Sequence, residues 1–269
     1  MDRALVVDSA TRLGADAADS VVVCGSHGGL YAAWLAAQAG VRAVIFNDAA
    51  IGRHQAGVSG VHWLDALEIP ALAVDYRSAR IGDGADTLAS GLVTTSNGVA
   101  AQHGCLPGHT ARQAVECLLR NAPPAPRNDV PALGEGRSRI ANTGHREVWA
   151  MDSVALVEAS DRRKVIVTGS HGGLLGGRAD DGVLGVDVFA AFFNDAGGGK
   201  GSAGYARLPV LDARGIAAVT VSANGARIGD GRSTYDTGVI SRLNEVARRL
   251  ELREGMSARE AVARLVGLG

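Results

Sequence analysis

The residues best suited to chemistry lie in a pentapeptide, GSHGG, that the chain carries twice, at residues 25–29 and 169–173. Glycine lets backbone N–H groups turn inward, so Gly172 and Gly173 predict a cradle for an anion or a developing oxyanion. Each copy adds a hydroxyl and an imidazole, the side chain that moves protons near neutral pH. These candidates are Ser26 and His27 in the first copy, and Ser170 and His171 in the second. Turn glycines and a helix-capping serine would explain the same pattern structurally.

A second repeated segment keeps a cation at matching positions. It does not fit the phosphate-loop pattern, because Asn194 and Gly201 stand where that pattern needs Gly and Ser or Thr. Arg53 and Lys200 could instead bind a substrate carboxylate, and a desolvated Lys200 could act as a base. Asn194 is a candidate for substrate binding and Asp195 for catalysis, whereas a solvated loop lysine is the plain alternative. The two copies are NDAAIGRHQAG at residues 47–57 and NDAGGGKGSAG at residues 194–204.

The third repeated segment is RIGDG, at residues 80–84 and 227–231. Its arginines, Arg80 and Arg227, offer a planar fork that suits a substrate carboxylate. Asp230 is a further candidate for substrate binding. Gly–Asp–Gly is also typical of a turn, so the alternative is a structural role in which the arginine pairs with the aspartate of its own turn.

A divalent metal is an alternative use of the same residues, because one histidine and two carboxylates can hold such an ion. No HxH, HExxH or CxxC spacing supports it, and no GxGxxG predicts a nicotinamide cofactor. The sequence therefore predicts no cofactor, with a divalent metal left open. The metal candidates are His27, His171, Asp48, Asp195, Asp83 and Asp230.

The three segments recur in the same order, which predicts a tandem duplication. GSHGG recurs after 144 residues (169 − 25), and the other two segments recur after 147 (194 − 47 and 227 − 80). We expect a first α/β repeat at residues 1–120, a linker rich in proline and glycine at 121–147, and a second repeat at 148–269. Two halves with a long period predict a pseudo-twofold arrangement rather than a solenoid.

Each repeat alternates short apolar runs with helical patterns, which predicts mostly parallel sheets covered by helices. Strands are expected at 20–24, 43–46 and 70–76, and helices at 30–40, 57–68, 88–103 and 110–120. The second half should repeat this, with strands at 164–168, 188–193 and 216–221 and helices at 235–250 and 257–266. Short strands should precede each half at 4–7 and 148–151. GSHGG should then lie between a strand and a helix, and all three segments at strand carboxyl ends, where such folds bind ligands.

Composition limits the classes of partner. The 269 residues carry a net charge of −1 and only 4% aromatic residues, which disfavours nucleic-acid binding. No apolar run is long enough to span a membrane. Three cysteines without a CxxC pattern favour a reducing, cytoplasmic setting. We expect a small-molecule substrate and, on general grounds, a homo-oligomer.

Together these features predict an enzyme, and a hydrolase of an amide or cyclic C–N bond in a small polar substrate first of all. The second half, with Ser170, His171, Lys200 and Asp195, is expected to be the catalytic one. A lyase or isomerase of a small carboxylic acid would use the same cradle for an enolate. A non-catalytic anion sensor is the third hypothesis.

Overall fold

The computed structural model describes residues 4–126, 129–142, 146–179 and 183–267. It is an α/β structure with two mostly parallel sheets, one of five and one of six strands, flanked by helices. Within these ranges no helix is both long and apolar enough to cross a membrane. The first sheet and its helices comprise β1 (Leu5–Val7), β2 (Val21–His27), α1 (Leu30–Gln38), β3 (Ala43–Asn47), α2 (Ser59–Trp63), β4 (Ala71–Val74), α3 (Gly84–Ser90), β5 (Val93–Ser96), α4 (Gly98–Gln102) and α5 (Ala111–Asn121).

The second sheet has the same plan with one extra strand at its edge. Its elements are β6 (Arg137–Asn142), β7 (Glu147–Met151), β8 (Val165–His171), β9 (Ala190–Asn194), α6 (Arg207–Ala213), β10 (Ala217–Val221), α7 (Gly231–Thr237), β11 (Ile240–Leu243), α8 (Glu245–Arg249) and α9 (Ala258–Gly267).

Strand order follows chain order in both sheets. Strands β1 to β4 are parallel, as are β7 to β10, while β5, β6 and β11 pair antiparallel at the edges. Strand β3 is buried at every position, and so are the apolar residues of β2 and β8. Continuous apolar strands of this kind need helices on both faces, which explains why short βα units fold here.

Two predicted helices are wrong. Residues 88–103 hold the end of α3, then β5, then α4, and residues 235–250 hold α7, β11 and α8. Gly91 and Gly238 end the first helix of each pair, and β-branched residues such as Val93 and Ile240 then extend the chain. The spacing of apolar residues in each of these ranges resembles that of one helix, although each range contains parts of two helices and a strand.

Part of the predicted linker is also a strand. Arg137–Asn142 pairs antiparallel with β7 and forms the outer edge of the second sheet. An edge strand tolerates exposed polar residues, so its pattern resembled that of a loop. Residues 127–128 and 143–145 of this linker lie outside the described ranges.

The two sheets meet at the loops that follow β3 and β9, a region we call the junction. Six apolar side chains form its core, and backbone hydrogen bonds cross it in both directions. Arg53 N donates to Ala223 O at 2.8 Å, and Lys200 N donates to Tyr76 O at 2.9 Å. The core residues are Ala49, Ala56, Ile81, Ala196, Ala203 and Ile228.

Within each half, GSHGG lies against RIGDG at backbone distance. A Cβ atom at Gly169 would lie 2.2 Å from Asp230 N, and one at Gly25 would lie 2.4 Å from Asp83 N. The N–H of Gly229 donates to Gly169 O at 2.8 Å, which fixes the two segments together. Glycine is required because any side chain would separate them.

We therefore expect Gly169→Ala to lower the free energy of unfolding by about 1–3 kcal/mol, because the added methyl overpacks a backbone contact. Urea unfolding would measure this loss. Gly134→Ala is the matched control, since nothing lies within 4 Å of a Cβ at Gly134. Equal stability of the two variants would contradict the close contact.

Candidate active site

A cavity of about 840 Å³ opens beside the junction, and both sheets contribute to its lining. This volume falls within the range of small-molecule sites. The first half contributes the end of β2 and the first turns of α1. The second half contributes the end of β8, the start of α6 and the second RIGDG segment. The polar lining includes Ser26, His27, Tyr31, Glu135, Asp152, Ser153, Ser170, His171, Arg207, Arg214, Arg227 and Asp230.

Each of the two histidines reaches the RIGDG segment of the opposite half. A Cβ at Gly82 would lie 3.2 Å from the His171 ring, and one at Gly229 would lie 3.5 Å from the His27 ring. The contacts are reciprocal. Each imidazole, at the end of β2 or β8, packs on the RIGDG turn of the other half across the junction. Both line the cavity as well.

The same imidazoles are held neutral with a defined tautomer. His27 Nδ1 accepts the N–H of Gly29, and His171 Nδ1 accepts the N–H of Gly173, each at 3.1 Å. The ring proton is therefore on Nε2. Burial lowers the pKa of His27 to about 4, and burial with the nearby Arg207 charge holds the pKa of His171 well below its usual value. Both rings are suited to donating a hydrogen bond at neutral pH.

Ser26 and Ser170 are fixed by backbone groups. Ser26 Oγ accepts the N–H of Ala10 at 2.9 Å, and Ser170 Oγ accepts that of Val154 at 2.8 Å. Over the described ranges, Ser170 has no hydrogen-bonded acceptor that could take its proton. Neither of these hydrogen bonds activates a serine hydroxyl as a nucleophile.

The glycine amides of the second GSHGG are engaged within the protein. Gly172 N donates to Asn194 O at 2.8 Å, and Gly173 N donates to His171 Nδ1. In addition, no helix follows this copy in residues 174–179 or 183–189, so the predicted strand–helix setting is wrong there. The segment 174–187 holds four glycines, which disfavour a helix.

The first copy does precede a helix, and its end is open. Helix α1 begins after Gly29, and no side chain caps it. The first N–H groups of a helix have no partner within it and carry partial positive charge. Leu30, Tyr31 and Ala32 of this first turn line the cavity. An anion in the cavity would therefore meet a favourable field.

Arg207 is the strongest sign of a ligand. It is 2% exposed, its Nε donates to Gly173 O at 2.8 Å, and its guanidinium carbon lies 5.1 Å from the Phe193 ring centre. Its Nη1 has no partner among the described residues. Burial lowers its pKa to about 10, so it stays charged. A buried charge without a counter-ion is strongly unfavourable, which points to an anionic ligand.

Sequence reasoning missed Arg207 because it lies outside the repeated segments. The repeat spacing aligns it with Gly60 (207 − 147), so the first half has no equivalent cation. This difference between the two halves was the sequence signal that could have identified Arg207. The other cavity arginines do have carboxylate partners: Arg227 is paired with Asp230, and Arg214 with Asp187 at 2.9 Å.

Glu135 was also missed, since it lies in the predicted linker without a motif. Burial raises the pKa of its carboxyl to about 7, and the nearby Asp152 charge adds to this rise, while the hydroxyls of Ser153 and Tyr31 act to lower the pKa. A carboxyl with this pKa is half ionised at neutral pH, which suits a general base.

Several predicted site residues lie outside the cavity lining. Lys200 Nζ lies 2.7 Å from Asp86 and 2.6 Å from Ser90 Oγ, and Arg80 lies 3.4 Å from Asp86. Asn194 donates to Ala226 O and accepts the N–H of Ala196. Asp195 accepts the N–H groups of Gly197 and Ala223, and Arg53 Nη1 lies 3.5 Å from Gly225 O. Gly172 and Gly173 also lie outside the lining.

The carboxylates considered for a metal are mostly bonded to backbone amides. Asp48 accepts the N–H groups of Ala50 and Tyr76, and Asp83 accepts that of Asp86. In the part of the chain that the structure describes, no three histidine, cysteine or acidic side chains cluster as metal ligands.

The fold and the cavity thus define an α/β protein with a cavity beside the junction of its two sheets. No protein-family model, curated protein or solved structure matches the chain. Its function is therefore argued from the chemistry of the cavity.

Glu135 should make stability depend on pH. Its pKa is about 7 in the folded protein against 4.5 for a free carboxyl, so between these values the folded chain holds a proton that the unfolded chain has released. The contribution of Glu135 to the free energy of unfolding should therefore fall as pH rises from about 5 to 7. Glu135→Gln should remove this fall.

The measurement is urea unfolding of both proteins at pH 5 and pH 7. The buried histidines change the free energy of unfolding in the opposite direction over an overlapping pH range. The quantity to compare is therefore the difference in free energy of unfolding between variant and wild type at each pH. Glu116→Gln, on the exposed face of α5, is the control. A difference that does not change with pH would contradict the raised pKa.

Proposed function

We propose that the protein is an enzyme that hydrolyses an amide or cyclic C–N bond in a small carboxylate, with Glu135 as the general base. One observation carries this proposal: a carboxyl with a pKa of about 7 and a buried guanidinium without a counter-ion line the same cavity. Perturbed titratable groups in a cleft are typical of catalytic sites.

The substrate carboxylate binds to the Arg207 guanidinium, in the same cavity as the open N-terminus of α1. Arg207 supplies a buried positive charge for which the described residues provide no carboxylate, and the uncapped first turn supplies backbone N–H groups. Removing an anion from water is favourable only if such charge-assisted donors replace the water. This arrangement fixes one end of the substrate and leaves Glu135 for the reacting bond.

The chemical step uses water. Glu135 takes a proton from water as the water oxygen attacks the carbonyl carbon. The carbonyl oxygen becomes an oxyanion, which accepts hydrogen bonds from the Nε2–H groups of His27 and His171. The C–N bond then breaks as Glu135 returns the proton to nitrogen, which gives a carboxylic acid and an amine.

These roles differ from those that the sequence suggested. Ser170 donates a hydrogen bond, and His171 holds an oxyanion instead of moving a proton. Lys200 and Asp195 position the junction through their contacts with Asp86 and Ala223.

We also propose that the halves arose by duplication and are related by a pseudo-twofold axis. The reciprocal contacts of the two histidines and the two backbone bonds across the junction support this. Only the second RIGDG lines the cavity. The first is covered by the segment after His171, where Gly176 N donates to Gly82 O at 2.7 Å. One active site per chain follows from this asymmetry.

Glu135 could equally remove a proton from carbon, which would make the protein a lyase or isomerase of a small carboxylic acid. The neutral Nε2–H donors favour this second candidate as well, because they would stabilise an enolate. A non-catalytic sensor would bind carboxylates without turnover.

Replacing Glu135 and replacing Arg207 should have different kinetic effects. Glu135→Gln should lower kcat by about 10²–10⁴-fold, because the base is lost. Arg207→Gln should weaken substrate binding by about 30-fold or more, because the carboxylate loses its charged partner. Steady-state kinetics on N-acyl amino acids and carboxylated cyclic imides would measure both.

Glu116→Gln and Arg112→Gln, both exposed on α5, are the matched controls and should match the wild type. Full activity in Glu135→Gln would exclude its role as base. Isotopes then separate the reactions, since hydrolysis in H₂¹⁸O places ¹⁸O in the product carboxylate. A lyase or isomerase in D₂O would place deuterium on carbon instead.

A further inference from the structure

The cavity has both polar and apolar lining. Its polar groups include Arg207 and the two histidines. Leucine and valine side chains from both halves contribute to the apolar part of the lining. They include Leu30 and Leu35 of α1, and Val154, Val157 and Leu184 of the second half.

These apolar walls are fixed in place by the two hydrophobic cores. Val154, Val157 and Leu184 belong to the cluster that contains Phe193, the ring beneath the Arg207 guanidinium. Leu35 packs against the core of the first sheet. A preformed apolar wall gains free energy when a ligand covers it, without the loss of entropy that a flexible wall would suffer.

The charges allow only one anionic group. Arg207 is the one cavity-lining arginine for which the described residues provide no carboxylate, since Arg214 is paired with Asp187 and Arg227 with Asp230. Glu135 and Asp152 add negative charge elsewhere in the lining. A second carboxylate on the ligand would meet repulsion there, not a partner.

We infer that the substrate is an amphipathic monocarboxylate, in which a single carboxylate is joined through the reacting C–N bond to an apolar chain or ring. A cavity of about 840 Å³ is much larger than a carboxylate and an amide require, and the apolar part fills the remainder. This inference rests on the proposed function, because it takes the carboxylate site at Arg207 as given.

The test is binding of straight-chain monocarboxylates from acetate to octanoate, followed by isothermal titration calorimetry. Each added methylene should lower Kd by about fourfold until the wall is covered. Octanol should bind more weakly than octanoate, and Arg207→Gln should remove that preference. Glutarate should bind more weakly than pentanoate, which has the same chain length.

Variants at two exposed leucines test the wall itself. Leu30 is 39% exposed and lines the cavity, while Leu106 is 47% exposed and lies outside the lining. Leu30→Gln should raise the Kd of octanoate by about fivefold and leave that of acetate unchanged. Leu106→Gln should change neither value.

The outcomes separate this inference from the function on which it rests. Carboxylates that bind through Arg207 with no dependence on chain length would overturn the amphipathic substrate and leave the carboxylate site intact. Tighter binding of glutarate than of pentanoate would overturn the single charge. If no carboxylate binds, or if Arg207→Gln binds them all as tightly, the proposed function itself fails.

Discussion

Two backbone segments in each half lie so close that only glycine fits between them. At Gly169 the strand end meets the turn before α7, and the carbonyl of Gly169 accepts the N–H of Gly229. That turn then presents Asp230 to cap α7 and Arg227 to the cavity. The histidine of the opposite half packs on the same turn glycine, so one close contact sets both the sheet-to-turn spacing and the shape of the site.

Much of the fold could be predicted from sequence, because buried parallel strands are continuous apolar runs. The strands at β2, β3, β8 and β9 follow from VVVC, AVIF, VIVT and AAFF. The short antiparallel strands β5 and β11 could not be separated from helices, since Val93 and Ile240 fit either period once Gly91 or Gly238 is overlooked. The edge strand β6 is polar and carries no alternating signal strong enough to stand out.

The site was predictable only where it coincides with the repeat. The serine and histidine of each GSHGG and the second RIGDG do line the cavity, because strand carboxyl ends converge in such folds. Arg207 and Glu135 belong to no repeated pattern, and their importance depends on burial and on missing partners, which are properties of the folded chain. Conversely, Lys200 was a catalytic candidate in the sequence, but in the structure it forms an ion pair with Asp86.

The reciprocal contacts of the two histidines with the opposite halves affect the order in which the site can form during synthesis. The contact of His27 with Gly229 joins residues about 200 positions apart in the chain. The cavity therefore cannot form on the ribosome until the second RIGDG segment has been synthesised. Until then Ala49, Ala56 and Ile81 lack the side chains of Ala196, Ala203 and Ile228 that complete their cluster in the folded chain. Apolar surface that is exposed in this way during synthesis favours wrong association.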